Sequence, residues 1–489
     1  MSQQNSSTVS INNVDHDITI MFDDLNQQKA YIGYALINRI SIFTNIFDPF
    51  FFGELEYIDE FALEKAANNK DANINATASY RYRGDGYDKL TITIHPHSNA
   101  SNANIADFAC SFSIVDSYHK FDNKTGKLVK VLILEDWMKH ILSERQSYFT
   151  TCNKNIKYTA QCSNDQRSMT TGCALSSLLS QNFPGLQVRD SVWDNGGNEI
   201  FYSAGVNEKA LTTLEKLYNL HFSSADNIND KCFLSHSIHS DNNWSLISLS
   251  DMFSNAINSQ TSPKQAGNIY TQTIYLENTN DSTSTHSSKY NPTGSLVNKQ
   301  SGYVQSYDFK DLQHRDTVSL NSHVVYNYNT LNKQFNVDVN DGNIDKFKEF
   351  FFANYISKLI GKNDKPYPNI PLTQLKQNNI TTTNIFNLYD NSNISVSRNN
   401  LLLLTILLNN SIEVNLLGDI IREPGLFIGI DSTAPGSEND YNSKIYGQYL
   451  IISAAHNFIG NTYTNKLICS KPYLYNKPED MKEGEEIYG

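Results

Sequence analysis

The chain has few charged residues and no basic cluster. Only 18% of its 489 residues are charged, and the formal balance is −12. The densest basic stretch, Tyr80-Arg81-Tyr82-Arg83, holds two arginines between aromatics. A nucleic-acid-binding face needs a concentrated basic patch, so specific nucleic-acid binding is not expected. An acidic surface repels DNA, and the same acidity also serves solubility. The six cysteines, at 110, 152, 162, 173, 232 and 469, contain no CxxC pair. Their spacings fit neither a zinc site nor a small disulfide scaffold, so buried free thiols are expected. No apolar run approaches the roughly 18 residues of a membrane span; Leu401 to Leu408 is short and interrupted by Thr405. The opening MSQQNSSTVSINN is polar and uncharged, unlike a secretory leader, which suggests synthesis in a cytoplasm. HExxH, GxSxG and P-loop motifs are all missing.

Aromatic and β-branched residues are abundant. Tyr occurs 28 times and Phe 25 times, which favours strands and supplies cores. The length implies about two to four domains. Residues 1–14 read as a disordered arm and 15–126 as a first β unit, with Ile40, Ile42 and Thr44 alternating and a turn near Gly84 and Gly86. Residues 127–257 mix strands and helices. Asn207 is expected to cap a helix to Tyr218 on which Ala210, Leu211, Leu214 and Leu217 share a face. Residues 258–302 read as a Ser/Thr/Asn-rich linker or loop holding one strand at Ile269 to Leu276. Residues 303–384 combine strands with an apolar helix over Asp345 to Ile360. On it Phe347, Phe350, Phe351, Ile356 and Leu359 imply burial against a domain or a neighbouring chain. A last β unit spans 385–475, and 476–489 is a charged tail.

The last unit carries the most specific pattern. Ile412, Val414 and Leu416 alternate, Gly418 ends the strand, and Glu423-Pro424-Gly425 turns the chain. Leu426, Ile428 and Ile430 follow, then Tyr449 to Phe458 and Asn465 to Ser470. Four strands in this order predict a compact antiparallel barrel. Gly418, Pro424, Gly425, Gly447, Tyr449, Leu450, Ile451, His456, Phe458, Tyr463, Thr464 and Leu467 together resemble the last barrel of baseplate hub proteins of contractile-tailed bacteriophages, a fold shared with the hub portion of type VI secretion spike proteins. Leu55, Ile58 and Asp59 resemble, with one extra residue of spacing, the opening of the family's first barrel. Leu214, Leu217, Phe233, Trp244, Ser248 and Leu249 resemble its middle domain.

The resemblance implies a β-rich α+β protein: two related antiparallel β-barrel tube domains, an intervening α/β domain and loop and helical insertions. It implies a structural subunit, not an enzyme, with no cofactor. As a homotrimeric ring it would join a sixfold tail tube to a threefold central spike in the virion and let DNA pass during ejection. Its implied partners are the central spike, the tail tube or tube-initiator proteins and the surrounding baseplate proteins. A receptor- or glycan-binding tail protein is the alternative, which the many Tyr and Asn would suit; it predicts β-repeats or a fibrous end that the sequence lacks. A tail-tip cell-wall hydrolase would need a catalytic motif.

Candidate reactive groups read more simply as structural ones. Cys152 or Cys162 with His140 or His221 forms no recognisable catalytic set. His95-Pro96-His97 has no third ligand, and RGDGYD at 83–88 lacks the acidic end of a calcium loop, so a turn between strands is expected. His456 is expected to be packed or hydrogen-bonded. Glu54, Glu56, Asp59 and Glu60 suit either a pore lining or a solvated strand face.

Overall fold

Alternation at period two builds the strands. Lys89–Pro96 reads KLTITIHP and buries every second residue, Leu90, Ile92, Ile94 and Pro96. The computed structural model describes residues 7–11, 14–23, 29–32, 36–58, 89–96, 107–123, 126–150, 169–183, 187–189, 199–200, 202–223, 230–239, 243–261, 272–275, 304–311, 322–329, 334–341, 380–383, 410–431, 445 and 447–471. Among these the architecture is mostly antiparallel sheet with four α-helices.

One 14-stranded sheet runs through the N- and C-terminal units. Its main path is Ser7–Ile11, Val14–Asp23, Lys89–Pro96, Phe108–Asp122, Lys127–Asp136, Asp48–Ile58, Ile37–Asn45, Gly447–Ile459, Thr462–Ser470, Asn410–Leu417 and Val304–Asp311. Phe427–Asp431 also pairs with Gly447–Ile459, and Gln272–Tyr275 adds to it in parallel. That short strand falls where one was expected inside the linker.

Two separate barrels were expected; among the described residues no strand pairing closes a barrel. The two units share a sheet because Ile37–Asn45 pairs with Gly447–Ile459, edge to edge. A second difference lies at the N-terminus. Ser7–Ile11 falls within the stretch expected to be a disordered arm, yet it is a strand hydrogen-bonded to Val14–Asp23. Its apolar positions explain this: Ile11 is fully buried, and Val9 packs on the same core.

The middle unit has its own core, in which Leu175, Leu178, Leu179, Leu214, Leu217, Leu234, Trp244 and Leu246 are buried together with Phe50 from the first unit. Gln187–Arg189, Asn243–Ser248, Asp230–His236 and Phe222–Ser223 form its sheet. The helix Trp137–Glu144 starts at Asp136, whose carboxylate accepts from the Met138 amide (2.8 Å). Thr170 caps Thr171–Asn182 in the same way, accepting from the Cys173 amide (3.3 Å).

The clearest predicted helix begins later than expected. It spans Ala210–Leu220, and its N-cap is Lys209, without a side-chain cap bond. Asn207 takes a positive φ of 64° instead, within the turn that leads in. Glu208 anchors the lead-in turn instead. Its carboxylate accepts from Tyr202 Oη, Thr213 Oγ1 (2.9 Å), Lys216 Nζ (2.8 Å) and the Gly205 amide (3.2 Å). Burial opposes the charge, but these donors hold the Glu208 pKa down at about 2. Cys173 is disulfide-bonded, contrary to the expectation of free thiols, while Cys110, Cys232 and Cys469 are buried thiols outside any disulfide. The spacing of the cysteines could not anticipate a pair that the fold brings together.

Candidate functional site

The site that the fold builds is a joint. The strand Gly447–Ile459 changes partner halfway along. Its first residues, Gly447 to Leu450, pair with Phe427–Ile430, and Ser453 to Ile459 pair with Arg39–Asn45 of the first unit. The register against Thr462–Ser470 shifts between Ile451 and Ser453, a bulge at the point of exchange. There the Gly425 amide donates to the Ile451 carbonyl (2.9 Å), and the Ile46 amide donates to the Ile452 carbonyl (2.8 Å). Side chains reinforce the seam: Ser41 Oγ donates to Asn457 Oδ1 (2.7 Å), and Ser453 Oγ donates to the Thr44 carbonyl (2.9 Å).

Behind this seam the motif residues converge. Gly418 has no side chain because the Tyr463 ring lies there; a Cβ would sit 2.1 Å from Tyr463 Cγ. The other face of Tyr463 stacks on Phe458, with centroids 4.1 Å apart and planes 9° from parallel. Phe458 and Tyr463 join Ile40, Ile42 and Phe108 in one core cluster, so the C-terminal unit contributes to the N-terminal core.

A buried polar chain runs beside the ring. Arg422, 1% exposed, donates from Nη1 to the Leu417 carbonyl (2.6 Å) and to Asn465 Oδ1 (3.0 Å). The Asp419 amide also donates to Asn465 Oδ1 (2.6 Å). Those donors fix the amide orientation, so Asn465 Nδ2 faces His456 Nδ1 (3.0 Å) and must donate to it. Tyr463 Oη lies 2.8 Å from the same nitrogen. Nδ1 is therefore an acceptor, and His456 is neutral with its proton on Nε2. Complete burial, then the charges of His239 and Arg422, push its pKa down to about 3. The Arg422 backbone pulls weakly the other way.

The middle unit plugs into the same place. Ile238 is buried in the N-terminal core, and its carbonyl accepts from the Ala109 amide (3.0 Å) and from Cys110 Sγ (3.1 Å). His239 Nδ1 faces the Asp107 carbonyl (2.6 Å) and Nε2 faces Glu423 Oε1 (3.0 Å). Nearby, His236 stacks on Phe51 and Trp244 and pairs with fully buried Asp136 (2.7 Å).

Solved structures similar to this chain include tail, baseplate and secretion-system proteins. A tail protein from Neisseria meningitidis matches at 8% identity over 94% of this chain and 98% of that one, with a TM-score of 0.49. The 43 kDa tail protein of prophage MuSo2 from Shewanella oneidensis matches at 9% identity over 93% and 98%, with a TM-score of 0.46. In a Francisella PdpA-VgrG complex the match is 9% identical and covers 94% of this chain and 53% of that one, with a TM-score of 0.41. With every TM-score below 0.5, no residue role passes from these proteins to this chain. No family model and no curated protein matches the sequence.

The structure brings Gly418, His456, Phe458 and Tyr463 together, with Pro424 and Gly425 close by on the seam. Gly425 has φ +90°, and the Leu426 amide donates to the Glu423 carbonyl (3.3 Å), as in a type II turn. Tyr449, buried in the C-terminal core, donates to the Ile445 carbonyl (2.6 Å), and Gly447 starts its strand at φ 137°. The expected apolar helix, with Phe347, Phe350, Phe351, Ile356 and Leu359, lies outside the described residues, as do RGDGYD, His97, Cys152 and Cys162. His95 pairs with Asp107 (2.5 Å). Among the described residues no group of three or more His, Cys, Asp or Glu could hold a metal ion, and no helix is long and apolar enough to cross a membrane. Glu54 and Glu56 lie in cross-strand ion pairs with Arg39 (2.6 and 3.8 Å), and Glu56 also pairs with Lys120 (2.7 Å). Sequence reading missed Arg422, Asn465, His239 and Asp136. Arg422, beside the Pro-Gly turn in an apolar stretch, was the one with a usable signal.

Proposed function

We propose that the chain is a structural baseplate hub subunit of a contractile phage tail. The observation that supports this most is the shared strand Gly447–Ile459, which locks the β units of the two chain ends side by side. In this reading each unit closes into a tube barrel, with the α/β unit wedged against both. Three chains then offer six β units in a ring, matching a sixfold tube on one side and a threefold spike on the other. Closing such a ring also removes exposed sheet edges, which would otherwise invite unwanted pairing. The role rests on surfaces and rigidity. The buried Asn465–His456–Tyr463 chain serves that rigidity: its groups are all but sealed from solvent, and His456 is held neutral.

The partners are further copies of the chain, a central spike, tail-tube or tube-initiator proteins and neighbouring baseplate proteins, in the virion. The net charge of −12 suits a passage that DNA traverses without sticking. Native mass spectrometry of the purified chain, alone and with its spike, tests the reading. A trimer in either sample is expected. A monodisperse monomer at micromolar concentration that the spike does not assemble would refute it.

A further inference from the structure

His239, at the joint, bonds to both of the other units at once. It belongs to the middle unit, in the turn after Asp230–His236, and its amide is steadied by Ser237 Oγ (3.1 Å). Both ring nitrogens face acceptors that carry no proton to give. Nδ1 meets a backbone carbonyl, that of Asp107, and Nε2 meets the Glu423 carboxylate. Two bonds of this kind need two N–H groups, so the geometry calls for the imidazolium. The side chain is only 20% exposed, and the Phe108 ring lies 5.8 Å away.

We propose that His239 is a protonation-dependent latch: charged, it ties Asp107 of the N-terminal unit to Glu423 of the C-terminal turn, and on losing its proton it keeps Glu423 and lets go of Asp107.

The groups around it fix the sign. From the C-terminal side come Glu423, Arg422 and the neutral His456; from the N-terminal side come Asp107 and its partner His95. Burial opposes the charge on His239, but Glu423, by charge and hydrogen bond, and Asp107 hold the pKa above 6.5. A raised folded-state pKa means that the latch contributes fully below the unfolded value and is lost as pH rises through the folded one. The proton lost is the one on Nδ1, because the Glu423 carboxylate is the stronger acceptor and keeps Nε2–H; a lone pair then faces the Asp107 carbonyl, and that contact turns repulsive. The loosened contact joins the turn at Ile238 and His239 to the start of Phe108–Asp122, where the Ala109 amide donates to the Ile238 carbonyl. Alkaline conditions would therefore loosen the middle unit from the N-terminal unit while the strand seam between Ile37–Asn45 and Gly447–Ile459 stays paired.

Exchange of the histidine C2 hydrogen, followed by mass spectrometry on the full chain, reads the titration of His239 directly. A midpoint above 6.5 is expected, and Glu423→Gln should lower it. Amide exchange of peptides spanning 107–112 and 236–239, corrected for the intrinsic rate, reads the latch itself. Opening should increase between pH 6 and pH 9, by about tenfold for each unit that the midpoint lies above 6.5. His239→Gln should make opening independent of pH. A His239 midpoint at or below 6.5 overturns the proposal, and so does a pH dependence that survives both substitutions. If His239→Gln fails to fold, the wild-type midpoint and Glu423→Gln decide.

Discussion

Replacing Gly418 by Ala should damage the joint far more than one methyl group suggests. The new Cβ would lie 2.1, 2.2 and 2.4 Å from Tyr463 Cγ, Cδ1 and Cδ2. Carbon atoms in contact prefer about 3.5–4.0 Å, so the ring would have to retreat by more than an ångström. It has nowhere to go. Phe458 is stacked on it at 4.1 Å, and its hydroxyl is held by His456 at 2.8 Å. Backbone adjustment is limited as well, because the Gly418 amide donates to the Tyr463 carbonyl (2.7 Å). Overpacking costs about 1–3 kcal/mol, and each hydrogen bond broken in the process adds about 1 kcal/mol. A local loss of about 3–5 kcal/mol follows. Amide exchange over residues 447–470 should read it as an increase of about a hundredfold or more in opening. The decisive control is a double-mutant cycle. In a Tyr463→Ala background the clash is gone, and Gly418→Ala should add less than about 0.5 kcal/mol. A single Gly418→Ala within about 0.5 kcal/mol of wild type, or the same penalty in both backgrounds, would refute this account.

Other outcomes follow from neighbouring groups. Gly425→Val places a β-branched residue at φ +90° with its Cβ 3.3 Å from Met252, and should lower stability by about 1–3 kcal/mol in thermal unfolding. Arg422→Met removes the donor shared by Leu417 and Asn465, costing about 1–3 kcal/mol and speeding amide exchange over 462–470. His456, depressed to about 3, contributes its stability above pH 6.5 and loses it as pH falls towards about 3. A melting curve should therefore fall on the acid side, by at most about 1.4 kcal/mol per pH unit from this group, and His456→Phe should flatten that limb. With His239 acting in the opposite sense, wild-type stability at the joint should peak near the ordinary histidine value of about 6.5.

Local chemistry was legible from residue order. The alternation of Ile412, Val414 and Leu416 places them on one buried face, and Glu423-Pro424-Gly425 is a turn because proline restricts φ while glycine accepts a positive one. The helix at Ala210–Leu220 was visible from Leu214 and Leu217, but its start was not. Asn207 looked like a cap and proved to be a turn residue, since Glu208 gathers the local donors through contacts with Tyr202 and Lys216. The roles of Gly418 and Tyr463 were only half visible. Each could be picked out of a pattern, but nothing in their separation along the chain says that the ring lies on the glycine.

The sequence by itself determined the strands, the turns and the β-rich, acidic character of the protein, because period-two burial, restricted φ and side-chain charge are properties of neighbouring residues. Tertiary structure alone decided that Ile37–Asn45 would pair with Gly447–Ile459, that Arg422 and Asn465 would set the tautomer of His456, and that His239 would meet both Asp107 and Glu423. The physical reason is that a strand edge has no sequence-specific address. Backbone N–H and C=O groups pair equally well with many strands, and the choice is made by which side chains can be buried together once the chain has folded.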